Sequence, residues 1–306
     1  MSAILLGVAP VFALIALGWA LRASKFMAAE TWAPVERLTY FAFYPGFLIP
    51  AIWTADFSGL SAGVVGASTI ASVVIVGALA LLARPLLRID GPAFTSVFQG
   101  LVRWNSFVFL PVVAAVVGRD GLGLAAVIIG ALIPVINVMC VLVLQRWGEG
   151  QTRGWRGLAM SLVKNPVLVA CAIGTALNLS GIPPITGLYQ ALKLLGDGAL
   201  PLGLIIAGAG LSFRYAATRP VTIAVVVACK LVALPVLMWW LARWMGGDQT
   251  ARTVALLCGA APGAAASYVL ARQMGGDAPL MAGIVAFTTV GSAVTIPLLL
   301  ALFHVA

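Results

Sequence analysis

The chain has 306 residues, 62% of them apolar and 9% charged, with a mean hydropathy of +1.09. Soluble domains carry about 45–50% apolar and about 25% charged residues, so a water-soluble enzyme and a disordered chain are both excluded, leaving a membrane protein with several spans. The net charge of +9 fits Lys and Arg gathered in cytoplasmic loops, because no basic patch with interleaved aromatics marks a nucleic-acid binder.

One span needs about 20 apolar residues. The apolar runs predict ten, near 3–22, 33–53, 60–83, 94–118, 121–145, 158–179, 185–212, 220–245, 251–271 and 278–303. The first run lacks the basic start and small-residue cleavage site of a signal peptide and ends at Arg22, so it reads as a retained span. The second holds FAFYPGFLIP and is among the least uniform. The fourth holds FQGLVRWNSFVFLPVVAAVVG, which Pro111 is expected to interrupt. Proline lacks an amide donor and clashes with the carbonyl one turn earlier. In lipid the freed backbone groups must meet protein or a water-filled cavity. Asn105, followed by Ser106, is placed to bind that backbone or a ligand, while Arg103 is either a functional charge or one that snorkels to the interface.

After the fifth run comes the longest charged connection, QRWGEGQTRGWRGLAMSLVK at 145–164, which divides the chain into halves 1–150 and 151–306. The seventh run holds Asp197, four residues after Lys193. An acid there is a proton relay, a cation ligand, an interfacial residue or the partner of Lys193. The eighth holds Lys230 close to its middle, with no evident partner. The ninth, LLCGAAPGAAASYVLARQMGG, is broken by Pro262 and Gly263 among small residues, with Ser267 and Tyr268 as hydrogen-bond donors beyond the break. Cys140, Cys171, Cys229 and Cys258 stand singly in apolar runs, and His304 is the only histidine. No metal site, cofactor or catalytic constellation is therefore expected, and the chain does not read as an enzyme.

The two halves resemble each other. At an offset of 156 residues, Pro10, Val11, Ala16, Gly18, Ala20 and Leu21 fall on Pro166, Val167, Ala172, Gly174, Ala176 and Leu177, and Asn105 falls on Ala261. Five spans per half is odd, so the second half enters the membrane from the opposite side. Two broken helices at equivalent places of inverted repeats point to a transporter's midplane site. Their half-helix N-termini offer positive dipole ends suited to a carboxylate. Odd-numbered connections hold twelve Lys and Arg, including Arg37, Arg84, Arg153, Arg156, Arg214 and Arg219, against three in the even ones. The odd connections are thus expected in the cytoplasm and both termini in the periplasm.

Several stretches carry a family resemblance. LVRWNSFVFLPVVAAVVG resembles the fourth-helix motif of the auxin efflux carrier family, and KNPVLVACAIG its Asn-Pro motif opening the sixth helix. GDGALPLGLIIAGAGLSF resembles its seventh helix, and AAPGAAASYVLARQMGGD with FTTVGSAVTIPLLLAL its ninth and tenth. The resemblance implies an all-α membrane protein like the bile-acid symporters and sodium/proton antiporters: ten transmembrane helices as two inverted five-helix repeats with broken crossing helices. Helices 1, 2, 6 and 7 would form a scaffold, and helices 3–5 and 8–10 a transport domain. It implies a bacterial inner-membrane carrier of small organic anions such as malonate, with Asn105 and the Pro262 break flanking the substrate. The chain departs from that pattern at Ala261, Ala264 and Ala265, where relatives often have hydroxyls, and at Phe109, where a small residue is common. The expectation is a secondary transporter working by alternating access, with membrane lipid around it, a proton or sodium as coupling ion and a homodimer left open. The alternative is a cation-coupled symporter or cation/proton antiporter of the same fold. A channel fits the inverted halves less well.

Overall fold

The computed structural model describes residues 2–55, 61–150, 157, 160, 163–213 and 219–303. Arg153, Arg156, Arg214, His304 and most of 158–162 lie outside the described residues. Among those described, every regular element is helical, as apolar segments must be where no water can bond the backbone.

Helix α1 runs Ser2–Ala23. A longer helical stretch follows as α2 (Trp32–Leu38), a π-helical turn (Thr39–Phe43) and α3 (Tyr44–Trp53). Then come α4 (Ser61–Ala83), α5 (Gly91–Val102), α6 (Ser106–Val116) and α7 (Arg119–Trp147). The second half holds α8 (Pro166–Leu179), α9 (Thr186–Asp197) and α10 (Ala199–Ala209). Next are α11 (Pro220–Ala228), a second π-helical turn (Cys229–Ala233) and α12 (Leu234–Trp244). The chain closes with α13 (Gln249–Ala260), α14 (Ala266–Met274) and α15 (Ala278–Leu302).

Six helical stretches among the described residues are long and apolar enough to cross a membrane: Ser61–Ala83, Gly91–Val116, Gly121–Trp147, Thr186–Ala209, Pro220–Trp244 and Ala278–Leu302. Gly7–Ala23 and Pro166–Leu179 are apolar but shorter. The predicted second and ninth spans are instead built from short pieces, α2 with α3 and α13 with α14.

Polar caps fix where many helices begin. Asp90 accepts from Ala93 N, Asp248 from Ala251 N and Asp277 from Leu280 N. Asn165 Oδ1 accepts from both Val167 N and Leu168 N. Each satisfies amides that a helix start leaves open.

The connections sort onto two faces. Arg219, before α11, bonds Asp90 before α5 and lies 3.7 Å from Asp277 before α15. Glu149 N, after α7, donates to Gly275 O after α14 at 2.9 Å. Arg22, near the end of α1, donates to Ala209 O at the end of α10. On the opposite face Ser61, opening α4, donates to Asp248 before α13. Trp53 Nε1 donates to Ile182 O, and Asn178 Nδ2 to the carbonyls of Ile52, Trp53 and Ala55. Odd-numbered connections thus meet odd, and even meet even. Which face is cytoplasmic rests on charge alone.

The helices also pack in two groups. Helix α1 lies along α10, and α3 lies along α8 and α9. Gly18 and Gly208 make the first contact possible, since a Cβ on either would strike the carbonyl of Ile205 or Ile15. Helices α4, α5, α7 and α11 to α15 pack among themselves. Helices α6, α7 and α15 touch both groups.

Candidate functional site

Two interruptions meet in the middle of the molecule. The first separates α5 from α6 at Arg103–Asn105, where Arg103 and Asn105 take extended backbone angles. The second separates α13 from α14 at Ala261–Ala265. They are joined directly: Asn105 N donates to Pro262 O at 2.8 Å. Asn105 is 5% exposed, and its Oδ1 accepts from Phe107 N at 2.9 Å, capping α6. Gly263 N donates to Thr288 Oγ1 of α15 at 3.0 Å. Backbone groups freed by both breaks thus find partners inside the protein.

Pro111 does not make the first break. It sits buried inside α6, and the interruption lies a turn and more before it. The missing amide of Pro111 releases the carbonyl one turn back, which α6 tolerates. The chain opens at Arg103–Asn105 because the second break supplies a carbonyl for Asn105 and the Asn105 side chain supplies a cap.

A cavity of 430 Å³ opens beside the crossing, within the range of small-molecule sites. The first break contributes Arg103, Trp104, Asn105, Ser106 and Phe107, and the second Ala264, Ala265 and Ala266. Opposite stand Glu36, Arg37, Tyr40 and Phe41, with Asn137 and Ile133 of α7 and Asn165 before α8. Arg103 Nη1 donates to Asn137 Oδ1 at 3.1 Å, and Tyr40 Oη donates to Asn165 Oδ1 at 3.0 Å. Two arginines face one glutamate. The starts of α6 and α14 both border the space, and α14 has no side-chain cap. A helix start carries about half a positive charge with open amides. The cavity is therefore electropositive, with apolar walls. Its lining from α2 and Asn165 lies toward the face of the odd-numbered connections.

Behind the cavity wall at Phe107 the packing is tight. Tyr44 and Phe107 meet edge to face with centroids 4.7 Å apart, and Gly203 of α10 lies against both rings. Tyr44 is fully buried.

The residues named from sequence divide. Arg103, Asn105 and Ser106 line the cavity. Pro262 and Gly263 are buried in the crossing itself, holding Asn105 and Thr288. Ser267 and Tyr268 do not reach the cavity: Ser267 is fully buried, and Tyr268 packs against a cluster that includes Ala93, Val97 and Ile284. Asp197 is exposed at the end of α9, away from the crossing. Among the described residues it makes no ion pair with Lys193, also exposed, so of its four readings the pair with Lys193 is not formed. Exposed pairs stabilise little in any case. Lys230 is 1% exposed and donates to Gly259 O at 3.1 Å. Among the described residues no group of His, Cys, Asp and Glu could hold a metal. Cys140, Cys171 and Cys258 are buried and unpaired, and Cys229 is half-buried.

Sequence reasoning missed the wall that α2, Asn137 and Asn165 supply. Glu36 and Arg37 close to the start of the second span were the available signal, since charges there lie inside the apolar stretch rather than before it.

A search of curated proteins finds no match. Residues 199–305 match the model of the Sodium Bile acid symporter family. That stretch covers α10 to α15, including the second break and Lys230, and leaves out the first break. Over it, the chain is similar to a family of membrane transporters.

Proposed function

We propose that the protein is a secondary carrier of a small organic anion, a carboxylate, which binds in the cavity at the crossing of the two broken helices. One observation carries this reading: two half-helix starts and two arginines, Arg37 and Arg103, surround one 430 Å³ space against a single acid, Glu36. Helix starts and guanidinium groups both favour carboxylates. Trp104, Phe107 and Ile133 fit the short apolar body of such an anion.

Two matching caps support an inverted-repeat layout. Asp90 and Asp248 cap the first half of each broken helix, and each is held by the residue that opens another helix, Arg219 or Ser61. On this reading the α1–α3 and α8–α10 group is the scaffold and the α4–α7 and α11–α15 group moves. The cavity faces the side of the odd-numbered connections, the cytoplasm on the charge rule. The auxin efflux carrier resemblance and the match over 199–305 both support a carrier of this kind. Sodium stands in the printed name of the matched family; the coupling ion here is taken up below.

A thermal-shift screen of mono- and dicarboxylates on the purified full chain, followed by uptake into proteoliposomes, tests the proposal. At least one small carboxylate should raise the unfolding midpoint, and Arg103→Gln should remove that rise. Uptake that only cations drive, with no carboxylate effect on stability, would contradict it.

A further inference from the structure

The middle of the span Pro220–Trp244 holds a lysine that no acid among the described residues neutralises. Lys230 is 1% exposed. The ion pairs among the described residues join Arg219 to Asp90 and Asp277, and none involves Lys230. Its ammonium donates to the carbonyl of Gly259 at 3.1 Å. Gly259 is the second-last residue of α13, so this carbonyl belongs to the last turn, where the helix leaves acceptors open and carries about half a negative charge. The backbone around the lysine is widened by the π-helical turn Cys229–Ala233. Such single-turn bulges are frequent at functional sites.

The place matters. Three residues after Gly259 comes Pro262, whose carbonyl holds Asn105 across the crossing. The first half handles its helix end differently: α5 ends at Val102, and the next residue, Arg103, sends its guanidinium into the cavity, where Nη1 donates to Asn137 Oδ1 at 3.1 Å. Of the two helix ends at the crossing, that of α13 has a buried cation on one of its carbonyls. That cation is lent by a neighbouring helix, while Arg103 lines the cavity. The two positive helix starts are left for the anion.

We propose that Lys230 is a tethered counter-cation, whose ammonium fills at the α13 end of the crossing the place that a bound metal cation would otherwise take, so that the protein binds its anion without sodium. A merely structural lysine would not explain a lone charge placed mid-span, because a neutral side chain would pack there without the cost of burying an unpaired ion. The transport consequence rests on the carrier reading above. The site itself does not, and the test below uses sodium ion alone.

The full chain is purified in detergent and its unfolding midpoint is titrated with NaCl against choline chloride at equal ionic strength. The wild type should unfold at the same temperature in both salts, and Lys230→Arg should behave likewise. Lys230→Gln, which removes the charge and offers an amide oxygen beside the Gly259 carbonyl, should gain a saturable rise in midpoint with Na⁺ that choline does not reproduce. A saturable Na⁺ effect on the wild type would overturn the proposal whatever the variants do. So would a folded Lys230→Gln chain with no Na⁺ response, or one that cannot be recovered folded in NaCl.

Discussion

The two breaks are held open by different means. At the first, the cap is local: Asn105 caps the start of α6 through its own Oδ1, and only its amide reaches across to Pro262 O. At the second, almost nothing is local: Ala265 precedes α14 without a side-chain cap, Thr288 of α15 holds Gly263, and Lys230 reaches in from the π-helical turn after α11. A helix can be interrupted inside a membrane either by residues that satisfy their own backbone or by small residues that let neighbours do so. The first break is held by its own side chains and the second by the packing of three helices around it.

The largest expected effect separates Arg103 from Lys230. Arg103 faces the cavity, so Arg103→Gln should lower carboxylate affinity roughly 10- to 150-fold, as loss of a charged hydrogen bond costs about 1.5–3 kcal/mol. Titration calorimetry of malonate reads this. The unfolding midpoint in the absence of ligand should move little. If affinity is unchanged, Arg103 does not serve the anion.

A tie outside both breaks calibrates the comparison. Asn178 Nδ2 holds the carbonyls of Ile52, Trp53 and Ala55. Asn178→Ala removes this shared donor, although Ile52 O keeps the amide of Ala55. The loss should be about 1–3 kcal/mol of stability, read as a lower unfolding midpoint, with malonate affinity of the folded protein kept.

The cap at the first break gives the next smaller effect. Asn105→Ala removes an N-cap, at a cost of about 0.5–2 kcal/mol, while the Asn105 N to Pro262 O bond survives because it is backbone. Asn105→Ser should recover most of the loss, as serine caps equally well. If Ser fails to rescue while binding collapses, the Asn105 amide touches the anion itself.

The smallest effect lies at the outer end of the second broken helix. The Ser61 hydroxyl and the Ala251 amide hold the Asp248 carboxyl below the usual carboxylate range. A depressed carboxyl contributes stability that is present above the unfolded value of about 3.9 and lost as pH falls through the folded one. Asp248→Asn should therefore be less stable than wild type at pH 7, with the gap closing as pH drops below about 4. Thermal unfolding across that range measures it.

Much of this was legible in the chain. Apolar runs and polar breaks located the helices, because in lipid the backbone has few alternatives. The offset of 156 put Asn105 on Ala261, and the structure joins Asn105 to the next residue, Pro262. What escaped was anything that depends on a partner far along the chain. Pro111 is the conspicuous breaker, yet the opening lies at Arg103–Asn105 because Pro262 offers a carbonyl there. Ser267 looked like a ligand donor, but its place on α14 turns it into the core. The wall built from Glu36, Arg37, Tyr40 and Asn165 required knowing how α2 lies against the breaks, which no local pattern encodes. Lys230 was conspicuous as a charge, and only the fold shows the helix end it covers.

The central claim is that a carboxylate binds where the two breaks face one cavity. Ala265 lines that cavity from the second break, and Ser180 is exposed at the end of α8. Ala265→Cys and Ser180→Cys, each reacted with a charged thiosulfonate reagent with and without saturating malonate, test it directly, with the wild type correcting for Cys229. The account predicts that malonate slows labelling at position 265 at least tenfold and leaves position 180 unchanged. Equal labelling at 265 with and without malonate, in protein that calorimetry shows to bind it, would contradict the account.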